Sequence, residues 1–315
     1  MPRFPSFDFS GLKTYSINDR SSKVSIDHFA KPLGPGSSVK DFLQSLPRQF
    51  AGLEFPELID RLVKAHQTGK KIAVGMGAHV IKVGLNPLLI DLMERSVITS
   101  IAMNGAGIVH DVEVAIAGKT SEDVGAVLGT GEFGAARETG EYINQAIYEG
   151  AQKDIGLGEA LGAFLSNHDF RYNNLSLIAT AYRLDIPVTV HVAVGTDIVH
   201  IHPSTDGAAL GKTTYHDFKV FCKIVSELEN GAYLNIGSAV LMPEIFLKAL
   251  TAVRNHGHTV NEITTANFDF IRHYRPMTNV VNRPTSSGGK GYNFTGHHEL
   301  MIPLLAACIV DKVSE

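Results

Sequence analysis

Two kinds of residue in this chain are placed to do chemistry: a lysine among small neighbours and a surplus of histidine. Lys290 stands in Ser286-Ser-Gly-Gly-Lys-Gly291, where residues without bulk let its amine approach a bound molecule. A lysine kept from water there becomes a neutral nucleophile able to form an imine with a carbonyl. The plainer alternative is a solvated loop lysine or a phosphate contact. The chain also has 14 histidines, of which His79, His110, His191, His200, His202, His297 and His298 fall near expected strand ends. If His200-Ile201-His202 is extended, both rings point to one face and form a ligand pair for a divalent metal. His298, Glu299, His110 and Asp111 complete that pool, so a metal-dependent hydrolase or lyase stands as an alternative function, although no metal is required by the main reading. No Gly-x-Ser-x-Gly elbow occurs, which removes the usual serine-hydrolase arrangement.

These residues need a scaffold, and the hydrophobic pattern supplies one. Residues 1–52 are rich in Pro, Ser and Gly and read as an irregular arm with a short helix from Val39 to Leu46. Arms of this kind reach neighbouring subunits. Residues 53–315 read as one α/β domain. Phe55 to Thr68 has helical spacing, and Lys71 to Gly75 is a short apolar run ending in glycine, as a buried parallel strand does. Helix is expected over Pro87 to Glu94, strand over Ile98 to Met103, helix over Ile108 to Ala117, and mostly helical insertions over Thr120 to Ala151 and Gly158 to Arg183. Strands follow at Pro187 to Ala193, Ala232 to Ile236 and Val260 to Thr265, with helices at Tyr215 to Glu229, Pro243 to His256 and His298 to Val310. Asn282 to Gly296 reads as loop. The alternation implies a doubly wound, mostly parallel sheet with helices on both faces.

In such sheets ligands bind beyond the carboxyl ends of the strands. Five expected strand ends carry small or polar residues: Gly75 to His79, Asn104 to Gly107, Gly195 to Asp197, Gly237 to Ala239 and Thr264 to Asn267. Glycine lets backbone approach a ligand, and the amides that open the following helices favour anions such as a pyrophosphate. The expectation is a crevice for a nucleotide-like cofactor. The usual Gly-x-Gly-x-x-Gly fingerprint is missing after the first strand, where Val80 takes the third position. Its one full match, Gly129 to Gly134, lacks a preceding strand.

Composition narrows the partners. With 44% hydrophobic and 19% charged residues the chain has the makings of a large core. Its 28 Lys+Arg against 32 Asp+Glu give a net charge of -4, with no basic footprint for nucleic acid. Cys222 and Cys308 lie in apolar runs without ligand-spaced partners and read as buried thiols of a reducing compartment. No apolar run reaches the ~20 residues of a membrane span, and no charged-then-apolar leader opens the chain, so a cytoplasmic location is expected.

The order of the loops resembles deoxyhypusine synthase and the wider group that shares its sirtuin-like NAD-binding fold. The resemblance runs from Phe55 to the carboxyl end and rests on short collinear pieces: Gly131-Glu132-Phe133, Ile186-Pro187-Val188, Thr196-Asp197-Ile198-Val199, Thr265-Ala266, Arg283-Pro284, Gly289-Lys290 and Pro303-Leu304-Leu305. It implies a homotetramer with NAD at the strand ends, sites completed across a subunit interface, a polyamine or other amine substrate, and an acceptor protein. By position it implies Lys290 as the imine-forming lysine and Asp197 as the carboxylate that binds the substrate amine. Gly77, Ala78 and His79 would form the first cofactor loop, Asn104, Gly105 and Ala106 the second, and Gly237 and Ser238 the third, with Thr265, Ala266 and Asp269 on the ribose side. His110 or His297 would move the proton. The chain departs from the family where Pro243 replaces the catalytic histidine, where His110 replaces an acidic residue, and in having no Trp. A cationic polyamine wants carboxylates and an aromatic wall, so the resemblance carries the fold and cofactor further than the family's own reaction. A nucleotide-binding protein without catalysis is the third reading.

Overall fold

In a computed structural model the fold is described for residues 3–313; Met1 and Pro2, at the start of the expected arm, and Ser314 and Glu315 lie outside the described residues. Residues 3–38 hold only two single helical turns, Ile17–Asp19 and Ile26–His28. The elements that follow are α1 (Val39–Ser45), α2 (Ala51–Gln67), β1 (Ile72–Met76), α3 (His79–Lys82), α4 (Asn86–Glu94), β2 (Ser100–Asn104) and α5 (Gly105–Ala117). An insertion of α6 (Val124–Val127), α7 (Arg137–Gln152), α8 (Leu157–Asn167) and α9 (Leu177–Arg183) leads to β3 (Val188–His191). The second half runs α10 (Gly207–Ser226), β4 (Ala232–Ile236), α11 (Leu241–Asn255), β5 (Thr264–Asp269), α12 (Tyr274–Pro276), β6 (Lys290–Thr295) and α13 (His298–Val313).

The six strands form one sheet in the order β3-β2-β1-β4-β5-β6, and every pairing is parallel. Helices cover both faces. On one face Ile72, Val74, Met76, Leu234, Ile236 and Phe268 join a core shared with α2, α4 and α13. On the other, Ala73, Ala102 and Tyr233 pack with Phe221 of α10 and Met242, Phe246 and Leu250 of α11. Strand alternation sends successive side chains to opposite faces, and it makes the second face short and polar. Gly75, Asn235, Asn267 and Asn293 stand side by side in register. Asn235 Nδ2 donates to Asn267 Oδ1 at 2.7 Å and Asn267 Nδ2 to Asn293 Oδ1 at 2.8 Å. Gly75 is required there because the Tyr233 phenol fills the place a Cβ would take.

That ladder explains two differences from the sequence expectation. β5 starts at Thr264, four residues later than the apolar pattern places it, because Thr265 and Asn267 are buried polar residues satisfied by neighbours rather than by water. Residues 290–295, expected as loop, form β6, whose Gly and Asn complete the ladder at the sheet edge. No helix among the described residues is long and apolar enough to cross a membrane.

Candidate functional site

Chain order sets where a ligand can enter. β1 leads outward to β2 and β3 on one side, and β4 starts the run to β5 and β6 on the other, so the connections leave β1 and β4 in opposite directions. In open α/β sheets the carboxyl ends of such a strand pair are the general place for ligands. There Gly77 N donates to Ile236 O at 3.0 Å and Gly237 N to Phe268 O at 2.9 Å, which carries the ladder one residue past the strands. A Cβ on Gly77 would meet the Gly237 carbonyl, and Gly237 itself has φ +67° beside the His298 ring. Both positions therefore need glycine. Ser238 is buried and its hydroxyl accepts from Met242 N at 3.2 Å, near the start of α11. Asp269, also buried, ends β5 on the same edge.

The second carboxyl-end feature lies beside β2 and β3. Asn104 caps α5 by accepting from Gly107 N at 3.0 Å. The first residues of that helix, Gly105 and Ala106, meet Asp197, whose carboxylate occupies the space a Cβ on Gly105 would fill. Asp197 is buried, and burial pushes its carboxyl above the ordinary value, opposed by His200, Thr196 and the Ala106 amide. His200 Nδ1 accepts from Gly195 N at 3.1 Å and Asp197 N at 3.3 Å. That leaves His200 Nε2 and Asp197 Oδ2 3.9 Å apart, both buried, neither with a hydrogen-bond partner. An unpaired buried carboxylate oxygen costs free energy unless a ligand meets it. Asp197 opens onto a cavity of about 200 Å³, walled also by Lys82, Ala106, His110, Glu113, Glu122 and Phe133.

The structure thus brings together Asp197 and His110, and it places Gly77, Ala78, His79, Asn104, Gly105, Ala106, Gly237, Ser238 and Asp269 along one edge of the sheet. The His79 ring is 5.5 Å from those of Phe270 and His298, and burial, then His298, lowers its basicity. His297 is exposed on the rim, 3.8 Å from Glu299.

Four sequence expectations do not fit this edge. Lys290 opens β6, paired with Thr264 at the amino end of β5, so it stands at the opposite edge of the sheet. Its ammonium lies 4.0 Å from Glu57 and over the Tyr292 ring. The small residues before it make the turn into a strand rather than an approach to a ligand. Thr265 and Ala266 lie inside β5, with the Thr265 hydroxyl donating to Val280 O at 2.7 Å, because the strand runs four residues further than its apolar signal. His200 and His202 are parted by a helical turn over Ile198–Ile201 in place of a strand, and His202 Nε2 contacts Gly134 O at 2.8 Å. His298 is buried against Phe268 O, apart from both, while Glu299 faces His297. No group of three or more His, Cys, Asp or Glu able to hold a metal occurs among the described residues.

Sequence reasoning missed Lys82, Glu113 and Thr120. Lys82 follows His79 by three residues, one helical turn, and Glu113 follows His110 in the same way. That spacing puts each pair on one helix face and was the available signal.

No model of a protein family matches the sequence, and no curated protein is significantly similar to it. Solved structures do share the fold. The ternary complex of AgrE with ornithine and NAD+ aligns with a TM-score of 0.51 at 14% identity, covering 83% of this chain and 33% of AgrE. The chain thus spans about a third of that protein's length. A conserved LOR/SDH protein from Methanococcus maripaludis S2 aligns at 0.52 and 14% identity, covering 89% of this chain and 72% of its own. A deoxyhypusine synthase, so described provisionally, from Entamoeba histolytica aligns at 0.51 and 11% identity, covering 88% and 94%. At these identities the likeness establishes a shared α/β fold.

Proposed function

We propose that the protein is an NAD-dependent enzyme acting on a small amine. The observation that carries this is the junction of β1 and β4, where Gly77 and Gly237 meet, together with a buried carboxylate, Asp197, that lies in a cavity wall and has no hydrogen bond to its Oδ2. The residues present fit the cofactor. Gly77 and Gly237 place no side chain at the ends of β1 and β4, and the Asp269 carboxylate suits a ribose hydroxyl. NAD held there supplies a hydride acceptor. AgrE, with the same fold, has been solved with ornithine and NAD+, which supports the combination of dinucleotide and amine.

In this reading Asp197 holds the substrate ammonium. Lys82, on the same cavity wall, suits a carboxylate on that substrate, so an amino acid fits better than a polyamine with only positive groups. His110 takes or returns the proton. Lys290 has no part in the chemistry, since its amine faces Glu57 at the far edge. Residues 53–315 would form the one NAD-binding unit. The arm, with Phe4, Phe7, Phe9, Leu12 and Tyr15 exposed, would dock on a second copy of the chain.

The test is calorimetric titration of purified protein with NAD, then with L-ornithine as a probe amine in the presence of NAD. The reading expects a saturable site for NAD and a second saturable signal for the amine. No heat and no shift in melting temperature with either would overturn it.

A further inference from the structure

His110 sits in the wall of the Asp197 cavity with its side chain 15% exposed. Its Nδ1 is 2.6 Å from the Thr120 hydroxyl. Thr120 in turn donates to Glu113 Oε2, in a short hydrogen bond. The other Glu113 oxygen accepts from Thr139 of α7 at 3.1 Å. His110 and Glu113 lie one turn apart on α5, and the loop that follows the helix brings Thr120 back between them.

Proton bookkeeping fixes the ring. A threonine hydroxyl has one hydrogen to donate. Burial by itself raises the Glu113 carboxyl, but the neighbouring His110 ring and the hydrogen bonds from Thr120 and Thr139 outweigh it and hold the group below its ordinary value. Glu113 is therefore an ionised carboxylate that can only accept, so the Thr120 hydrogen points at Glu113. The Thr120 oxygen then faces His110 with a lone pair, and the short contact is a hydrogen bond only if His110 carries its hydrogen on Nδ1. Nδ1–H is the less common neutral form of a histidine, and here it is imposed from behind. His110 Nε2, the other ring nitrogen, has no hydrogen-bond partner among the described residues.

We infer that Glu113, acting through Thr120, holds His110 as the Nδ1–H tautomer and so presents the Nε2 lone pair to the Asp197 cavity as the site's general base. The inference rests on the amine reading for what His110 acts upon, but not for the tautomer itself. Its step is a proton transfer alone. An N–H bond of the substrate ammonium breaks, the electron pair stays on that nitrogen, and the proton forms a new bond to His110 Nε2. The resulting imidazolium keeps its Nδ1–H on Thr120 and faces the Glu113 carboxylate, 3.8 Å from Nδ1, which stabilises the charge that has arrived. His110 is the catalytic residue, while Thr120 and Glu113 are positioning residues. An orienting carboxylate that fixes the tautomer of a basic histidine is a general device; an intervening hydroxyl lets two residues one helical turn apart work as one.

The test reads the tautomer directly, in protein without cofactor or substrate. Protein labelled with 15N in histidine is recorded at a pH where the rings are neutral, and the His110 signals are assigned by their loss in His110→Gln. The expected result is a protonated Nδ1 and an unprotonated Nε2. Thr120→Val should return the ring to the common Nε2–H form, and Thr120→Ser, which keeps the hydroxyl, should restore Nδ1–H. Melting temperature checks that each variant folds. An Nε2–H ring in the parent protein, or the same tautomer in Thr120→Val as in the parent, overturns the inference. Because no NAD or amine is present, that failure is distinct from a failure to bind either.

Discussion

Asp197 and Lys290 offer the same promise in the sequence, a charged group beside small residues, and the fold treats them in opposite ways. Asp197 is carried past the carboxyl end of β3, buried against the start of α5, and left with an oxygen that accepts no hydrogen bond, His200 Nε2 lying 3.9 Å away. Lys290 begins a strand at the other edge, with its side chain 43% exposed and Glu57 nearby. The larger hollows lie away from Asp197: spaces of about 280 and 400 Å³ are bounded by residues such as Lys71 and Pro187, just before the starts of β1 and β3, and one of about 590 Å³ by Lys31, Leu43 and Leu53. Size therefore does not mark the site. What sets Asp197 apart is a buried carboxylate that lacks a hydrogen bond and lies in a cavity wall, since unmet capacity of a buried charged group is costly.

The sharpest attack on this contrast is Asp197→Asn, which keeps the shape and removes the charge. Loss of one partner of a buried charged pair costs about 2 to 5 kcal/mol, so affinity for L-ornithine, measured by calorimetry with NAD present, should fall by about 30-fold or more. An unchanged affinity would place the amine elsewhere.

Asp217 tests whether burial of an acid is enough. It accepts from Gly158 N at 2.9 Å and Val190 N at 2.8 Å, so its bonds are met within the scaffold. Burial, partly offset by those amides, pushes its carboxyl up to about 7. The folded value lies above the unfolded one of about 3.9, so its contribution to stability is full below about pH 4 and is lost as pH rises through about 7. Asp217→Asn should flatten that decline, on the order of 3 kcal/mol by chemical denaturation between pH 4 and 7.5, while leaving amine affinity alone. A changed affinity with an unchanged pH profile would reverse the roles given to the two acids.

At the junction of β1 and β4, Gly77→Val should weaken NAD binding by about 5- to 150-fold, the 1 to 3 kcal/mol of an overpacked contact, since the new side chain presses on the Gly237 carbonyl. The check is calorimetry on variant protein whose melting temperature shows it to be folded. Smallest is Lys290→Ala. A half-exposed ion pair is worth about 0 to 1 kcal/mol, so NAD and amine affinities should stay within about twofold of the parent. A large loss would restore this lysine to the site.

The contrast also shows what the sequence could and could not reveal. β1 to β4 were legible to within two residues, because buried parallel strands are apolar throughout and glycine marks their ends, whereas α2 and α10 start four and eight residues before the expected Phe55 and Tyr215. β4 was expected and found at Ala232 to Ile236. β5 and β6 were misplaced or missed because the buried Asn267 is satisfied by Asn235 and the half-buried Asn293, a property of neighbours in the sheet that no local pattern displays. The same error put Thr265 and Ala266 at a strand end and Lys290 in a ligand loop. His200 and His202 look like a strand pair by spacing, yet the ring of His200 is taken up by the amides of Gly195 and Asp197, which close a helical turn instead. Asp197 itself was named by resemblance, while its orphaned oxygen and the Glu113–Thr120–His110 chain needed three dimensions.

The most direct measurement is hydrogen–deuterium exchange with and without saturating NAD. The account predicts protection concentrated in residues 75–80, 104–109 and 236–242, where the carboxyl-end loops meet α5 and α11, with residues 284–292 around Lys290 unchanged. Protection centred on residues 284–292, with the glycine loops unaffected, would contradict it.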